Sequence, residues 1–417
     1  MTREQCAALD AQDPLAGHRS QFALPPDVIY LDGNSLGALP RATSARVNEV
    51  IEQQWGDGLI RSWNSAHWVD LPRRVGGKIA QLIGAEPNEV LCADSTSVNL
   101  FKVLATALRL QRSSSRKIIV SERANFPTDL YIAEGLIDLL GHGHQLQLVE
   151  VDDVLGAIDE RTAVVMLTHV NFKTGSMHEM ATLTQRAHGA GALVVWDLSH
   201  SAGAVPVELN AFGVDFAIGC GYKYLNGGPG APAFVFVASR HLSAISDDVY
   251  AQPLAGWLGH HSPFEFHDCY RPAASIDRYA VGTPSIVALA ALEVGVDTVL
   301  AAGIEALRAK SVALTQLFIR LIEEQCPELG LQLASPRHAE QRGSQVCLSH
   351  PHAFAAMQAL IKRGVIGDFR APDILRFGFA PLYVRYVDVW DAAHALREVL
   401  ANEEWSEPAF QTRAAVT

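Results

Sequence analysis

The sequence predicts an α/β chain: a large domain built on a mainly parallel seven-stranded sheet, followed by a smaller α+β domain. Three observations carry this. Between residues 88 and 238, short β-rich runs alternate with helical patterns. Several runs are continuously apolar, such as AVVML at 163–167 and LVVW at 193–196, which suits strands covered on both faces. The chain has 417 residues, 49% of them hydrophobic and 19% charged, more than one core usually organises, since single cores stop growing at roughly 250–300 residues.

In chain order, the first forty residues read as loop-like, within an N-terminal segment (1–44) expected to pack on both domains. The large domain is placed at 45–295. Strands are expected at Glu89–Cys92, Lys117–Val120, Gln147–Val151, Ala163–Thr168, Leu193–Asp197, Asp215–Gly219 and Ala233–Val237. Amphipathic helices are expected between several of them, at Val98–Leu110, Asp129–Leu140 and Met180–Ala190. The small domain is placed at 296–417. Two long helical patterns, Pro284–Ala302 and Ile304–Glu324, lead into strands at 331–334, 344–349 and 374–380 and helices at 352–363 and 387–402. Alternation of this kind puts ligands at the carboxyl ends of the strands.

Composition excludes several classes. Lys plus Arg number 33 against 45 for Asp plus Glu, a formal charge of −12 with no basic block. That disfavours nucleic acid and anionic membrane surfaces. The apolar stretch Val287–Ala302 is interrupted by Glu293 and Asp297 and reads as an amphipathic helix, not a span. Met1–Pro14 has no apolar signal core, and six scattered cysteines form no CxxC. A cytoplasmic protein with reduced thiols is expected.

The sharpest local chemistry is VWDLSH at 195–200 followed by CGYKY at 220–224. Asp197 ends an apolar strand, where an unpaired carboxylate is costly and calls for a cation. Lys223 follows the next strand, between aromatics and a Gly-rich turn, where a desolvated amine is a nucleophile ready for a Schiff base. A carboxylate for a pyridinium nitrogen and a lysine for an aldehyde carbon are what pyridoxal 5′-phosphate (PLP) requires. A structural Asp–Lys ion pair is the plainer alternative. Thr96 and Ser97, at the start of a helix, suit a phosphate, or simply cap that helix. Phe126 before Pro127 could stack on a planar ring, with Thr128 or Asp129 capping the helix that follows; such turns are common. The His260, His261 and His267 group lacks helical metal-ligand spacing.

Taken together, YLDGNSLG at 30–37, FPTD at 126–129, WDLSHSAG at 196–203 and GCGYKYLNGGPG at 219–230 resemble kynureninase, a family of fold-type-I, aminotransferase-like PLP enzymes. GWLGH at 256–260 and DFRAPDILRFGFAPLY at 368–383 extend the resemblance over about residues 22–400. It implies a homodimer that hydrolyses L-kynurenine, and the 3-hydroxy form, to anthranilate or 3-hydroxyanthranilate and L-alanine. By resemblance, Lys223 is the Schiff-base lysine, Asp197 pairs with the ring nitrogen, and Tyr222 binds phosphate and shuttles protons. Thr96 and Ser97 carry the phosphate, while Phe126, Pro127, Thr128, Asp129, Thr168 and His200 surround the ring. Trp257 and Thr283 complete the phosphate site from the neighbouring subunit. Arg376 takes the substrate α-carboxylate, with Ser35 and the Asn34 backbone beside it; from the residues alone, an internal salt bridge is the default for Arg376. Trp63, His67 and Trp68 form an aromatic group that could meet the aryl ketone. No metal is implied. Another PLP activity on this fold, such as a desulfurase, or a non-enzymatic relative, stays open.

Overall fold

A computed structural model describes residues 1–412. After a two-residue strand, β1 (Ile29–Tyr30), the chain lays down β2 (Val90–Cys92), β3 (Ile118–Glu122), β4 (Gln145–Val149), β5 (Thr162–Thr168), β6 (Leu193–Asp197), β7 (Phe216–Gly219) and β8 (Phe234–Val237). The last seven form one sheet in the order β2-β8-β7-β6-β5-β3-β4. Only β8 runs against the rest, pairing antiparallel with both β2 and β7. Side-chain alternation divides the core between the faces. Val194 and Trp196 of β6 join one cluster, while Val195 joins the other with Phe216, Ile218 and Val235. The apolar runs need no polar face because helices cover both sides.

The helices follow their apolar spacing. Thr96–Leu110 buries Leu100, Val103, Leu104, Ala107 and Leu108, one stripe at intervals of three and four. Pro127–Leu140 and Met180–Ala190 lie where the pattern put them. Ile286–Ala302 packs on helices Arg41–Glu49 and Leu71–Leu82, whereas Ile304–Gln325 packs on Tyr386–Ala401. The two meet at Gly303 (φ 78°) with a bend of 81°. Among the described residues no single helix is long and apolar enough to cross a membrane. The C-terminal part adds β9 (Gln332–Leu333), β10 (Gln345–Ser349), β11 (Val365–Ile366), β12 (Asp368–Arg370) and β13 (Ile374–Gly378). β12, β13, β10 and β9 make a four-stranded antiparallel sheet.

Several expectations are corrected. The first forty residues are not simply loop: Arg3–Ala11 is a helix, capped by Thr2 in a reciprocal box with Gln5, and the Thr-x-x-Gln signal for it stands in the sequence. β1 pairs in parallel with β11, and buried Asp13 holds Lys310 at 2.6 Å. β4 begins two residues earlier than expected because Gln145 pairs with Ile118 and Val151 turns into a 3₁₀ segment. The Leu71–Leu82 helix went unanticipated although Leu71, Val75, Ile79 and Leu82 share its buried face.

Asp215, at the entry to β7, ties the sheet to its surroundings. Its carboxylate accepts from Val194 N (2.8 Å) and Arg240 Nη2 (2.7 Å) and pairs with His188 Nε2 (2.9 Å) and His241 Nε2 (2.7 Å). Burial alone would raise its pKa, but the bonds from His188, His241 and Val194 hold it well below the usual carboxylate range. Its stabilisation is therefore present above the unfolded-state pKa, about 4, and lost as pH falls below it. Asp215→Asn should lower the unfolding free energy by about 3 kcal/mol at neutral pH, the scale for breaking a buried ion pair. Urea titrations at several pH values check this: the gap to the parent should narrow in acid.

Candidate active site

Five strand ends converge on one cavity of about 490 Å³. From β2 the chain passes through Asp94, held at φ 51°, to Ser95. Ser95 is the cap of the Thr96–Leu110 helix, its Oγ accepting from Val98 N at 3.3 Å. Thr96 and Ser97 are therefore not the caps; they occupy the first turn and line the cavity with their hydroxyls. Beyond β3, Phe126 is the cap residue of the next helix and Pro127 its first position. Neither Thr128 nor Asp129 caps it. Both line the cavity, and buried Asp129 accepts from Thr168 Oγ1 at 3.4 Å. Phe126 lies at the wall, edge-on to Phe172 at 5.2 Å. Thr168 and Asp197 end β5 and β6 as register partners, so they emerge side by side. Tyr222 and Lys223 follow β7, and Thr283 contributes from its own chain.

The charges in this cavity are not neutralised in pairs. Asp197 is buried, accepts Ser199 N at 2.7 Å, and forms no ion pair among the described residues. Burial raises its pKa against the pull of Ser199 and Lys223. Asp129 is raised well above the carboxylate range by burial and then by Asp197. Lys223 Nζ lies 2.9 Å from His200 Nε2. Burial, then Lys223, Arg376 and Arg370, push the His200 imidazole well below its ordinary value, so it is neutral. Burial also raises the Tyr222 phenol, which stays protonated. A cavity with an unpaired carboxylate, an unpaired amine and free hydroxyls at a helix N-terminus fits PLP: a cationic ring nitrogen for Asp197, an aldehyde for Lys223 and a phosphate for Thr96 and Ser97.

Arg376 sits behind the wall and meets its need for an anion inside the chain. Its Nε donates to Asp368 Oδ1 (2.7 Å), Nη2 to the other carboxylate oxygen and to Ser35 Oγ (2.5 Å), and Nη1 to the Phe172 carbonyl (2.6 Å). Arg370 Nη2 reaches the same carboxylate at 2.7 Å. Two guanidinium groups thus share Asp368. Asp32 stands within electrostatic reach of both, its pKa pushed up to about 7 by burial and Asp368 against Arg376, Ser35 and Arg370. Asn34, Ser35, Arg376, Pro127 and Trp257 do not line the cavity. The Asn34 side chain packs against Gly378, where a Cβ would lie 1.8 Å from its Oδ1. Gly37 is required by contact: its N donates to the Tyr222 carbonyl at 2.8 Å, and a Cβ would meet Lys223 O at 2.3 Å. Trp257 joins a surface aromatic group with Trp63 (6.3 Å) and Phe264 (5.6 Å). Asp32, Asp368, Arg370 and Phe172 are not among the expected site residues, although four charges inside the apolar DFRAPDILRFG stretch and the Asp of YLDGN are the signal for the first three. The His260 and His261 rings lie 4.6 Å apart, tilted at 53°, and among the described residues no cluster of His, Cys, Asp or Glu suits a metal ion.

The family profile described as "Kynureninase C-terminal domain" matches residues 307–396. A kynureninase of Burkholderia mallei (strain SAVP1) is 55% identical over 419 residues, covering all of both chains. One from Pseudomonas fluorescens matches equally, at 55%. Among solved structures, the apo cysteine desulfurase of Thermococcus onnurineus NA1 superposes with a TM-score of 0.76 at 20% identity, covering 93% of this chain and 98% of that one. A C-DES variant with glycine covalently linked to its PLP cofactor gives 0.75 at 15%, covering 91% and 98%. At such identities these two show the fold, that of the fold-type-I PLP enzymes.

The Asp32 value generates a prediction independent of catalysis. A carboxyl raised above its unfolded value destabilises the fold as pH rises from about 4 towards 7, because the folded state then binds more protons than the unfolded state. Stability should fall over that window, and Asp32→Asn should flatten the fall. Denaturation midpoints between pH 5 and 8 measure it; an identical slope in the variant refutes the assignment.

Proposed function

The chain belongs to the kynureninase family, PLP-dependent hydrolases of carbon–carbon bonds that cleave L-kynurenine to anthranilate and L-alanine, and from that premise we propose how its residues divide the work. The observation that carries the reading is the pair of unpaired charges, Asp197 and Lys223, facing one cavity from neighbouring strand ends. Bound PLP supplies an electron sink and an aldehyde carbon. Lys223 holds the cofactor in the resting enzyme and, once released, takes the substrate α-proton at Nζ. Neutral His200 accepts a hydrogen bond from that amine when it is protonated, which gives the proton a fixed direction. Asp197 holds the ring nitrogen positive. Tyr222, kept protonated by burial, is the donor for a later proton transfer. Thr96, Ser97 and the first turn of their helix hold the phosphate.

The substrate carboxylate goes to the Arg370–Arg376 side. Two guanidinium groups against one Asp368 carboxylate leave a positive surplus whenever Asp32 is protonated. Planar guanidinium forks suit a carboxylate. The 3-hydroxy substrate fits the same chemistry, since its added hydroxyl leaves the γ-carbonyl and α-carboxylate unchanged. For a desulfurase reading, the two cysteines of the C-terminal part are poor nucleophiles. Cys347 and Cys326 are buried, with thiols pushed up to about 11 by burial.

We read the working unit as a homodimer in the cytoplasm. Trp257 stays outside its own chain's cavity, within an aromatic surface that includes Trp63 and Phe264 and lies beside Phe266, 75% exposed. An apolar patch of this kind marks an interface. All six cysteines are free, as a reducing compartment requires.

Four measurements test this. Purified protein should release anthranilate from L-kynurenine and no sulfide from L-cysteine, and borohydride reduction should fix the pyridoxyl group on Lys223; a label on another lysine removes the residue assignment. Sedimentation should give a dimer. Mixing a Lys223→Ala protomer with a Trp257→Ala protomer should restore part of the activity, and a fully active monomer contradicts the shared site.

A further inference from the structure

Lys102 is a fully buried lysine on the inner face of the Thr96–Leu110 helix, outside the cavity and unused by the chemistry above. Its ammonium has three protons and three acceptors: the Asp94 carboxylate, Asn99 Oδ1 at 3.1 Å and the Tyr279 carbonyl at 2.7 Å. The acceptors belong to two different walls. Asp94 precedes Thr96 and Ser97 and lines the cavity. Tyr279 precedes Ala280–Thr283, which line it from the other side. Asn99 completes the tie by donating to the Ala93 carbonyl at 2.8 Å.

Asp94 poses an electrostatic problem. Its carboxylate is partly exposed to the cavity, two residues before the hydroxyls assigned to the phosphate, and an uncompensated carboxylate there would repel a phosphate dianion. Its backbone is also held at φ 51°, a region that Asp and Asn enter more readily than most residues. We infer that Lys102 is a positioning residue for the cofactor phosphate: it cancels the Asp94 charge from behind and fastens the Asp94–Ser97 loop to the Tyr279–Thr283 loop. This rests on the reading that Thr96 and Ser97 seat the phosphate. Lys102 itself touches no ligand.

The test uses full-length protein, stripped of cofactor and then titrated with PLP by absorbance and with inorganic phosphate by calorimetry. Lys102→Met should weaken both ligands by about tenfold, the scale of losing one charge compensation near a helix terminus. Adding Asp94→Asn to that variant should recover most of the loss, because the repulsive charge is gone. Asp94→Asn alone should bind both ligands at least as tightly as the parent, since Asn accepts the same backbone conformation and the same lysine. That variant also decides the matter if Lys102→Met does not fold. Looser phosphate binding in Asp94→Asn, or no recovery in the double variant, overturns the inference and leaves the pair a plain scaffold. Ser97→Ala separates the two readings. If it weakens phosphate binding while Lys102→Met does not, the seat stands and the role of Lys102 falls; if neither weakens it, the seat lies elsewhere and both fall.

Discussion

A carboxylate buried at the end of a strand without a cation is costly, and Asp197 is such a group. The architecture around it is what makes the position tenable. Apolar residues of β5 and β6 hold the two strands in register, so Thr168 and Asp197 emerge together where no further strand covers them. Ser199 N, in the turn after β6, supplies one hydrogen bond. What remains is a demand for positive charge inside a low-dielectric cavity, which Lys223 enters from the next strand end. The sheet is thus a frame that leaves two complementary charges apart.

The N-terminal segment and the small domain act on that frame from the other side. Gly37 brings the N-terminal segment onto the Tyr222 and Lys223 carbonyls, and Tyr30 and Ile29 join that segment to β11. Ser35 then reaches Arg376 and Asp368 on β13 and β12. Arg376 in turn holds the Phe172 carbonyl, and Phe172 packs on Phe126 at the cavity wall. The cavity wall and the guanidinium cluster are one connected structure, joined by hydrogen bonds and by the Phe172–Phe126 ring contact.

Local order was legible in the sequence where a single stretch determined its own state. The apolar run of β6 and the amphipathic Met180–Ala190 segment appear with the expected bounds. Lys223 and Asp197 were legible because their residue types are anomalous in apolar surroundings. Partnership across the chain was not. Nothing local distinguishes Ser95 from Thr96 as the cap, and the difference decides which hydroxyls remain free. Arg376 announced a need for an anion, but that Asp368 would fill it depends on the antiparallel register that sets Asp368 opposite Arg376. The helix at Arg3–Ala11 carried its capping signal, yet its stability comes from packing on Tyr386–Ala401, far away in sequence.

The two cavity carboxylates show how environment assigns different states to one residue type. Burial raises both Asp129 and Asp197, and each opposes the other's ionisation. Their hydrogen bonds are unequal. Asp197 accepts a short bond from Ser199 N, while Asp129 has only the Thr168 hydroxyl at 3.4 Å, a hydroxyl that also donates to Asn125 Oδ1. Hydrogen bonds to the charged form favour ionisation, so the negative charge settles on Asp197 and the proton on Asp129. In the proposed reading a cationic ring nitrogen would find its partner at Asp197, beside Lys223, while protonated Asp129 would add no second negative charge. One charge, placed at one strand end, is thus compatible with the proposed seating of a cation at the ring and an anion at the helix.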